Sequence, residues 1–221
     1  MQVLFVHGMG RSPLSGWPML RRFRQHGIRT QSFSYCVSRQ SFASIQSRLE
    51  KRIEAIASDG EYILIGHSLG GVLLRAALAN MDDSVKAPKQ LFLLGSPVKK
   101  SRLAVYFRRY WMFRFLTQDC GELLASSERM LDIPASDCPA TAVVGVKGIN
   151  GKSSPFRDEL NDGVVSLSEV SADWIQDQIQ LPVIHSFLPS SKRVSSVILS
   201  RIVWFYALAR LWSLSRAYVV I

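Results

Sequence analysis

The chain is poor in cysteine and histidine, and it contains no uninterrupted apolar run long enough to span a membrane. Only three cysteines occur among its 221 residues, and Cys36, Cys120 and Cys138 have neither a C-x-x-C spacing nor the spacing of metal ligands. This pattern predicts reduced thiols rather than a disulfide framework, and no metal site. Because residues 1–6 lack the basic head and apolar stretch of a signal peptide, we expect a cytoplasmic protein.

Acidic residues are also scarce, since 17 Asp and Glu stand against 27 Lys and Arg and give a net charge of +10. Such an excess predicts attraction to anionic partners, for example lipid headgroups or acidic small molecules. No nucleic-acid-binding signature accompanies the charge, so we do not expect a nucleic acid as partner.

Short apolar runs alternate with helix-like segments along the chain. The runs 3–6, 30–35, 62–65, 90–94, 141–146 and 178–183 predict strands, and the segments 17–25, 42–57 and 69–81 predict helices. This alternation predicts one α/β domain over residues 1–221, with a mostly parallel sheet covered by helices on both faces. In such sheets, ligands bind at the carboxyl ends of the strands.

A glycine-rich turn follows the third strand directly. Gly66, Ser68 and Gly70 form a G-x-S-x-G motif between an apolar strand and a helix. This context predicts a nucleophile elbow, a strained turn that lifts a serine clear of the sheet edge. Glycine fits at 66 and 70 because a side chain would collide with neighbouring backbone. We therefore expect Ser68 to be a catalytic nucleophile.

A serine nucleophile needs a general base, usually a histidine that is oriented by a carboxylate. Of the four histidines, His7 lies at the first strand–loop junction and His26 lies at the opposite end of the sheet. His67 is the variable residue of the elbow and is expected to point away from the base. His185, directly after the last strand, remains as the base.

The orienting acid is expected between the serine and the histidine in chain order, in a loop after a strand. Asp162 meets this expectation, and its neighbours Asn161 and Gly163 permit a tight turn. Its role would be to hold the tautomer of His185 and to stabilise the imidazolium. Asp158 and Glu159 remain alternatives.

An oxyanion hole is expected from two backbone N–H groups. The N–H of Leu69 lies at a helix N-terminus beside the serine, where the helix dipole favours negative charge. The second donor is expected from the loop after the first strand, where Gly8 lets the backbone turn and the N–H of Met9 faces the site.

These motifs, in this order, resemble those of α/β-hydrolases of the lipase and esterase type. The matching segments are V-H-G-M at 6–9, G-H-S-L-G-G at 66–71, L-G-S-P at 94–97, N-D-G-V-V at 161–165, and the late His185. The resemblance implies an α/β-hydrolase fold that lacks the antiparallel edge strands of fuller members. It also implies hydrolysis of a small-molecule acyl ester through an acyl intermediate on Ser68, without metal or cofactor, in lipid metabolism.

Two other activities use the same residues, namely acyl transfer and thioester hydrolysis. A different class of function is a non-catalytic scaffold that binds an anionic partner. The intact serine and histidine favour an enzyme, and the sequence leaves the oligomeric state open.

Two segments do not belong to the sheet motifs. Residues 97–130 predict a cap or lid insert, which between 97 and 116 carries six basic residues and no acidic one, interleaved with aromatics. This mixture favours either contact with an anionic membrane or a lid helix with a solvated basic face. The apolar tail 207–221 could anchor the protein to a membrane, pack as an extra helix or form a dimer contact.

Overall fold

The computed structural model describes residues 1–152 and 154–203. Its centre is a sheet of six parallel strands in the order β2-β1-β3-β4-β5-β6. The strands are β1 (Gln2–Val6), β2 (Arg29–Phe33), β3 (Tyr62–His67), β4 (Leu91–Leu94), β5 (Ala140–Gly145) and β6 (Asp177–Leu181).

Helices connect these strands. They are α1 (Trp17–Gln25), α2 (Phe42–Ser58), α3 (Leu69–Ala79), α4 (Arg102–Phe107), α5 (Trp111–Ala125), α6 (Ser127–Leu131) and α7 (Leu167–Val170). A last helix, α8, begins at residue 192 and is described as far as residue 203. Short 3-10 turns occupy Pro13–Gly16 and His185–Phe187.

Both faces of the sheet are covered, because alternate residues of each strand point to opposite sides. In β1, Leu4 and Val6 belong to a core shared with α2 and α3. Val3 and Phe5 belong to a second core on the other side, shared with α1 and α8. The expected parallel α/β architecture with helices on both faces is thereby confirmed, and the ends of the expected strands shift by only one or two residues.

The connection from β4 to β5 holds α4, α5 and α6. The helix α5 is broken at Gln118, whose φ of 43° and ψ of −132° are not helical. The Gln118 side chain donates a hydrogen bond to the carbonyl of Ser38, and Asp119 accepts one from the backbone N–H of Phe42. Since Ser38 lies in the loop between β2 and α2 and Phe42 begins α2, this connection is held at the carboxyl end of the sheet.

None of the helices in the described ranges is both long enough and apolar enough to cross a bilayer. The expected tail 207–221 lies outside the described residues.

Candidate functional site

Ser68 occupies the turn between β3 and α3. Its φ of 52° and ψ of −123° place a non-glycine residue in a rarely populated backbone region. A Cβ on Gly70 would lie 2.2 Å from the carbonyl oxygen of Val6, and one on Gly66 would lie 2.4 Å from Gly71 Cα. These contacts are to backbone, which cannot swing aside, so glycine is required at 66 and 70 as the sequence predicts.

Asp162 and His185 lie against each other in the interior. The Nδ1–H of His185 donates to Oδ2 of Asp162 at 2.7 Å, and the backbone N–H of His185 donates to the carbonyl of Asp162 at 2.9 Å. The other carboxylate oxygen, Oδ1, accepts from the N–H groups of Val164 and Val165. Because a carboxylate accepts but does not donate, Nδ1 of His185 carries the proton and Nε2 is left as a base.

The two alternative carboxylates lie elsewhere. Asp158 is exposed, whereas Glu159 accepts hydrogen bonds from Arg102 and from the backbone N–H of Ser168. Although partial burial of Glu159 opposes ionisation, the hydrogen bonds from Ser168, Arg102 and Ser166 lower the pKa of its carboxyl to about 2. Of the three acidic residues considered, Asp162 is the one that His185 contacts.

The loops after β1, β4 and β5 lie beside the turn at Ser68, as the close packing of Gly8 and Gly95 shows. A Cβ on Gly8 would lie 3.1 Å from Ser68 Cβ, and one on Gly95 would lie 2.8 Å from Asp162 Oδ2 and 3.0 Å from His185 Nδ1. The N–H of Ser68 donates to the carbonyl of Leu94, the residue before Gly95. Among the described residues, Ser68 Oγ forms no hydrogen bond with His185.

The orientation expected for His67 is wrong. Its Nε2–H donates to the carbonyl of His185 at 3.1 Å, and the two imidazole rings lie with their centroids 4.7 Å apart. Burial, followed by the nearby His185, lowers the pKa of His67 well below its ordinary value, so the ring is neutral. Nothing local in the sequence distinguishes this inward orientation from the outward one, because the contact joins residues 118 positions apart.

The loop after β1 is held by a residue of the loop after β2, Tyr35. The rings of His7 and Tyr35 stack with centroids 4.2 Å apart, and the Tyr35 hydroxyl donates to the carbonyl of His7. Gly8 does not have a positive φ, so glycine is needed there for close approach to His67 and Ser68 rather than for a turn. Within the described ranges, the N–H groups of Met9 and Leu69 donate no hydrogen bond, which leaves both available to a ligand.

Sequence reasoning missed the contribution of Arg102, which it grouped with the basic residues of the insert. The guanidinium donates to Glu159 and Ser166, and the backbone N–H donates to buried Glu169. Arg102 thereby joins the start of α4 to the loop that carries Asp162. The S-x-x-E pattern of a capping box at Ser166 and Glu169 was the available sequence signal for this loop.

The chain is similar to known proteins in its three-dimensional structure. By sequence, the chain matches no family model and no curated protein. A lipase from Bacillus licheniformis, solved in its propeptide form, superposes with a TM-score of 0.72 at 18% identity over 90% of this chain and 49% of the lipase. The chain therefore spans about half the length of that lipase.

Two further structures cover almost the whole of both chains. A thioesterase of the prodiginine pathway in Streptomyces coelicolor has a TM-score of 0.61 at 14% identity, over 91% of this chain and 89% of its own. A methylesterase from Arabidopsis has a TM-score of 0.60 at 13% identity, over 92% and 99%. With the parallel sheet and the strained turn at Ser68, these likenesses identify the chain as a protein of the α/β-hydrolase fold.

Proposed function

We propose that the protein is a serine hydrolase that cleaves carboxylic esters. The observation that carries the proposal is the buried 2.7 Å hydrogen bond between Asp162 and His185, next to a serine held in a strained strand-to-helix turn. Strain of this kind persists only where the surrounding structure enforces it, and it concentrates at functional sites. The esterase, lipase and thioesterase neighbours support a reaction of this class.

In the proposed mechanism, Ser68 Oγ attacks the ester carbonyl while its proton passes to Nε2 of His185. Asp162 keeps the proton of His185 on Nδ1 and stabilises the imidazolium that forms, without accepting that proton. The N–H groups of Met9 and Leu69 donate to the oxyanion of the tetrahedral intermediate. When the intermediate collapses, His185 protonates the departing alcohol and an acyl group remains on Ser68.

Water completes the cycle. His185 takes a proton from water as the water attacks the acyl-Ser68 carbonyl, and it returns that proton to Ser68 Oγ as the acid leaves. If an alcohol or thiol replaced water, the same acyl intermediate would give acyl transfer, and a thioester substrate would enter by the same first step.

We further propose that residues 97–130 form a cap over this site and that the acyl group of the substrate is lipid-like. The anchoring of α4 and α5 at the carboxyl end of the sheet and the aromatic side chains of this segment support both points. An aromatic cap provides apolar surface against which an acyl chain can be buried.

The proposal is tested by labelling the purified protein with a fluorophosphonate and locating the modified residue by mass spectrometry. We expect modification at Ser68, loss of labelling in His185→Ala, and a fall in ester turnover of about 10⁵- to 10⁶-fold in Ser68→Ala. Cys36→Ala is the matched control, because Cys36 is exposed and hydrogen bonds with Ser38 lower the pKa of its thiol. This control is expected to keep full labelling.

The opposite outcome is a folded protein that neither labels nor turns over any ester of a graded acyl series. That result would favour the non-catalytic scaffold over the enzyme.

A further inference from the structure

Half of the exposed large apolar side chains in the described ranges lie on α4 and the first half of α5. The side chains of Tyr106, Phe107, Tyr110, Trp111, Phe115 and Leu116 are all exposed, with Trp111 at 73% and Phe115 at 66%. The rings of Tyr106, Phe107 and Tyr110 form one group, since the centroid of Phe107 lies 5.3 Å from that of Tyr106 and 6.3 Å from that of Tyr110. We call the exposed side chains of residues 105–116 the aromatic surface.

This surface lies at the same end of the molecule as Ser68. Of the sixteen large apolar side chains that are exposed in the described ranges, eight lie between Val105 and Leu116, and others lie in segments that directly follow the carboxyl ends of strands. Apart from the aromatic surface, these segments include the loop after β1 with Leu14 and the turn after His185 with Phe187. Exposed apolar side chains that gather at one end of a molecule, rather than scattering singly, mark an interaction site.

The charged side chains of residues 97–116 are all basic, and one of them, Arg114, pairs with Glu122 of α5 at 3.4 Å. Lys99, Lys100, Arg108 and Arg109 are exposed, and no acidic residue occurs between 97 and 116. The guanidinium of Arg109 lies 3.9 Å from the centroid of the Tyr106 ring, so a cation is held directly on the apolar surface. Arginine beside Trp and Tyr is the combination found at the headgroup level of membranes.

We propose that the aromatic surface docks the protein on an anionic lipid bilayer, with Trp111 and Phe115 entering the interface and Arg108 and Arg109 binding lipid phosphates. A protein partner of mixed charge fits less well than an anionic bilayer, because residues 97–116 carry six basic side chains and no acidic one. The net charge of +10 adds long-range attraction to a negative membrane. On the proposed function, docking would also present the Ser68 end to substrates in the bilayer.

The test is co-flotation of the protein with phosphatidylcholine vesicles that contain either no phosphatidylglycerol or about 30% phosphatidylglycerol, at low and high salt. We expect binding to the anionic vesicles that weakens as salt is raised, because surface electrostatics are screened. The measurement is made with Ser68→Ala as well as the unmodified protein. Binding is thus scored without hydrolysis, and a failure of the proposed function would not disturb it.

Variants inside and outside the aromatic surface test whether this surface is where the protein binds vesicles. We expect Trp111→Ser to weaken vesicle binding about tenfold and Arg108→Gln about threefold to fivefold. The controls are Leu131→Ser, whose side chain is 76% exposed outside the aromatic surface, and Lys51→Gln on the exposed side of α2. Both are expected to bind like the unmodified protein, and thermal melting of each variant checks that it is folded.

Three results would overturn the proposal. They are no binding to anionic vesicles at low salt, binding that Trp111→Ser leaves unchanged, and Trp111-dependent self-association in the ultracentrifuge without vesicle binding. The second result, combined with loss of binding when residues 204–221 are deleted, would assign docking to the C-terminal segment. The third would make the aromatic surface a contact between copies of the chain.

Discussion

At the scale of single residues, the site depends on how completely Asp162 is hydrogen-bonded. One carboxylate oxygen accepts two backbone N–H groups of its own loop, and the other accepts Nδ1–H of His185. The loop and the histidine therefore orient the same carboxylate from opposite sides. Because Asp162 is buried, any group that replaces it has to satisfy the same three donors.

Asp162→Asn is expected to lower kcat for ester hydrolysis by about 10⁴-fold with little change in KM. An amide in place of the carboxylate either leaves a backbone donor unpaired or forces His185 into the wrong tautomer. Steady-state kinetics on a soluble ester measure the effect, with Asp158→Asn as the matched control on the same loop. If Asp158→Asn were the damaging change and Asp162→Asn kept its activity, the assignment of the acid would be wrong.

His67 predicts a pH dependence of stability. Burial lowers the pKa of His67 well below 6.5, whereas the same group in the unfolded chain binds a proton below about pH 6.5. The unfolded state therefore binds more protons than the folded state in that range, and the free energy of unfolding falls as the pH is lowered. For one fully buried group the slope is about 1 kcal/mol per pH unit below pH 6.

Urea unfolding at pH 5, 6, 7 and 8 is expected to show this loss in the unmodified protein and a shallower loss in His67→Gln. Glutamine has no titration in this range, and its amide retains a donor for the carbonyl of His185. An identical slope in the two proteins would show that His67 is not the group responsible.

At the scale of elements, the junction of β3 and α3 leaves no room for a side chain at Gly66 or Gly70. The α3 helix begins immediately after Ser68, and Gly70 in its first turn lies against the carbonyl of Val6 in β1. The glycines of the motif were identified from sequence because such a junction needs them wherever it occurs. The break in α5 at Gln118 was not, because it is stabilised by a contact with Ser38, 80 residues earlier.

Gly70→Ala is expected to lower the free energy of unfolding by about 3 kcal/mol or more, because the added methyl group would overlap backbone of β1. Gly27→Ala is the control, since Gly27 has a φ of 74° with open space around its Cα. There only the cost of the left-handed backbone remains, about 1 kcal/mol. Chemical denaturation compares the two, and equal losses would mean that the β3–α3 junction can relax.

At the scale of the whole molecule, the two faces of the sheet differ in what they bury, while the carboxyl end carries the site. Because side chains alternate along β1, half of them pack in the core with α2 and α3 and the other half in the core with α1 and α8. The loops that follow the strands meet at the carboxyl end, where Arg102 connects α4 to the loop of Asp162. Exposed apolar side chains gather at that same end, so the site and the aromatic surface share one side of the protein.

The sequence by itself determined the positions of the strands, the parallel α/β architecture and the turn at Ser68, because apolar runs and the G-x-S-x-G spacing are patterns of a few neighbouring residues. Only the tertiary structure decided which acidic residue meets His185, where His67 points and what Arg102 holds. These contacts join residues 23, 118 and 57 positions apart. Their geometry is set by how the strands pair and how the loops pack, and no local pattern encodes that information.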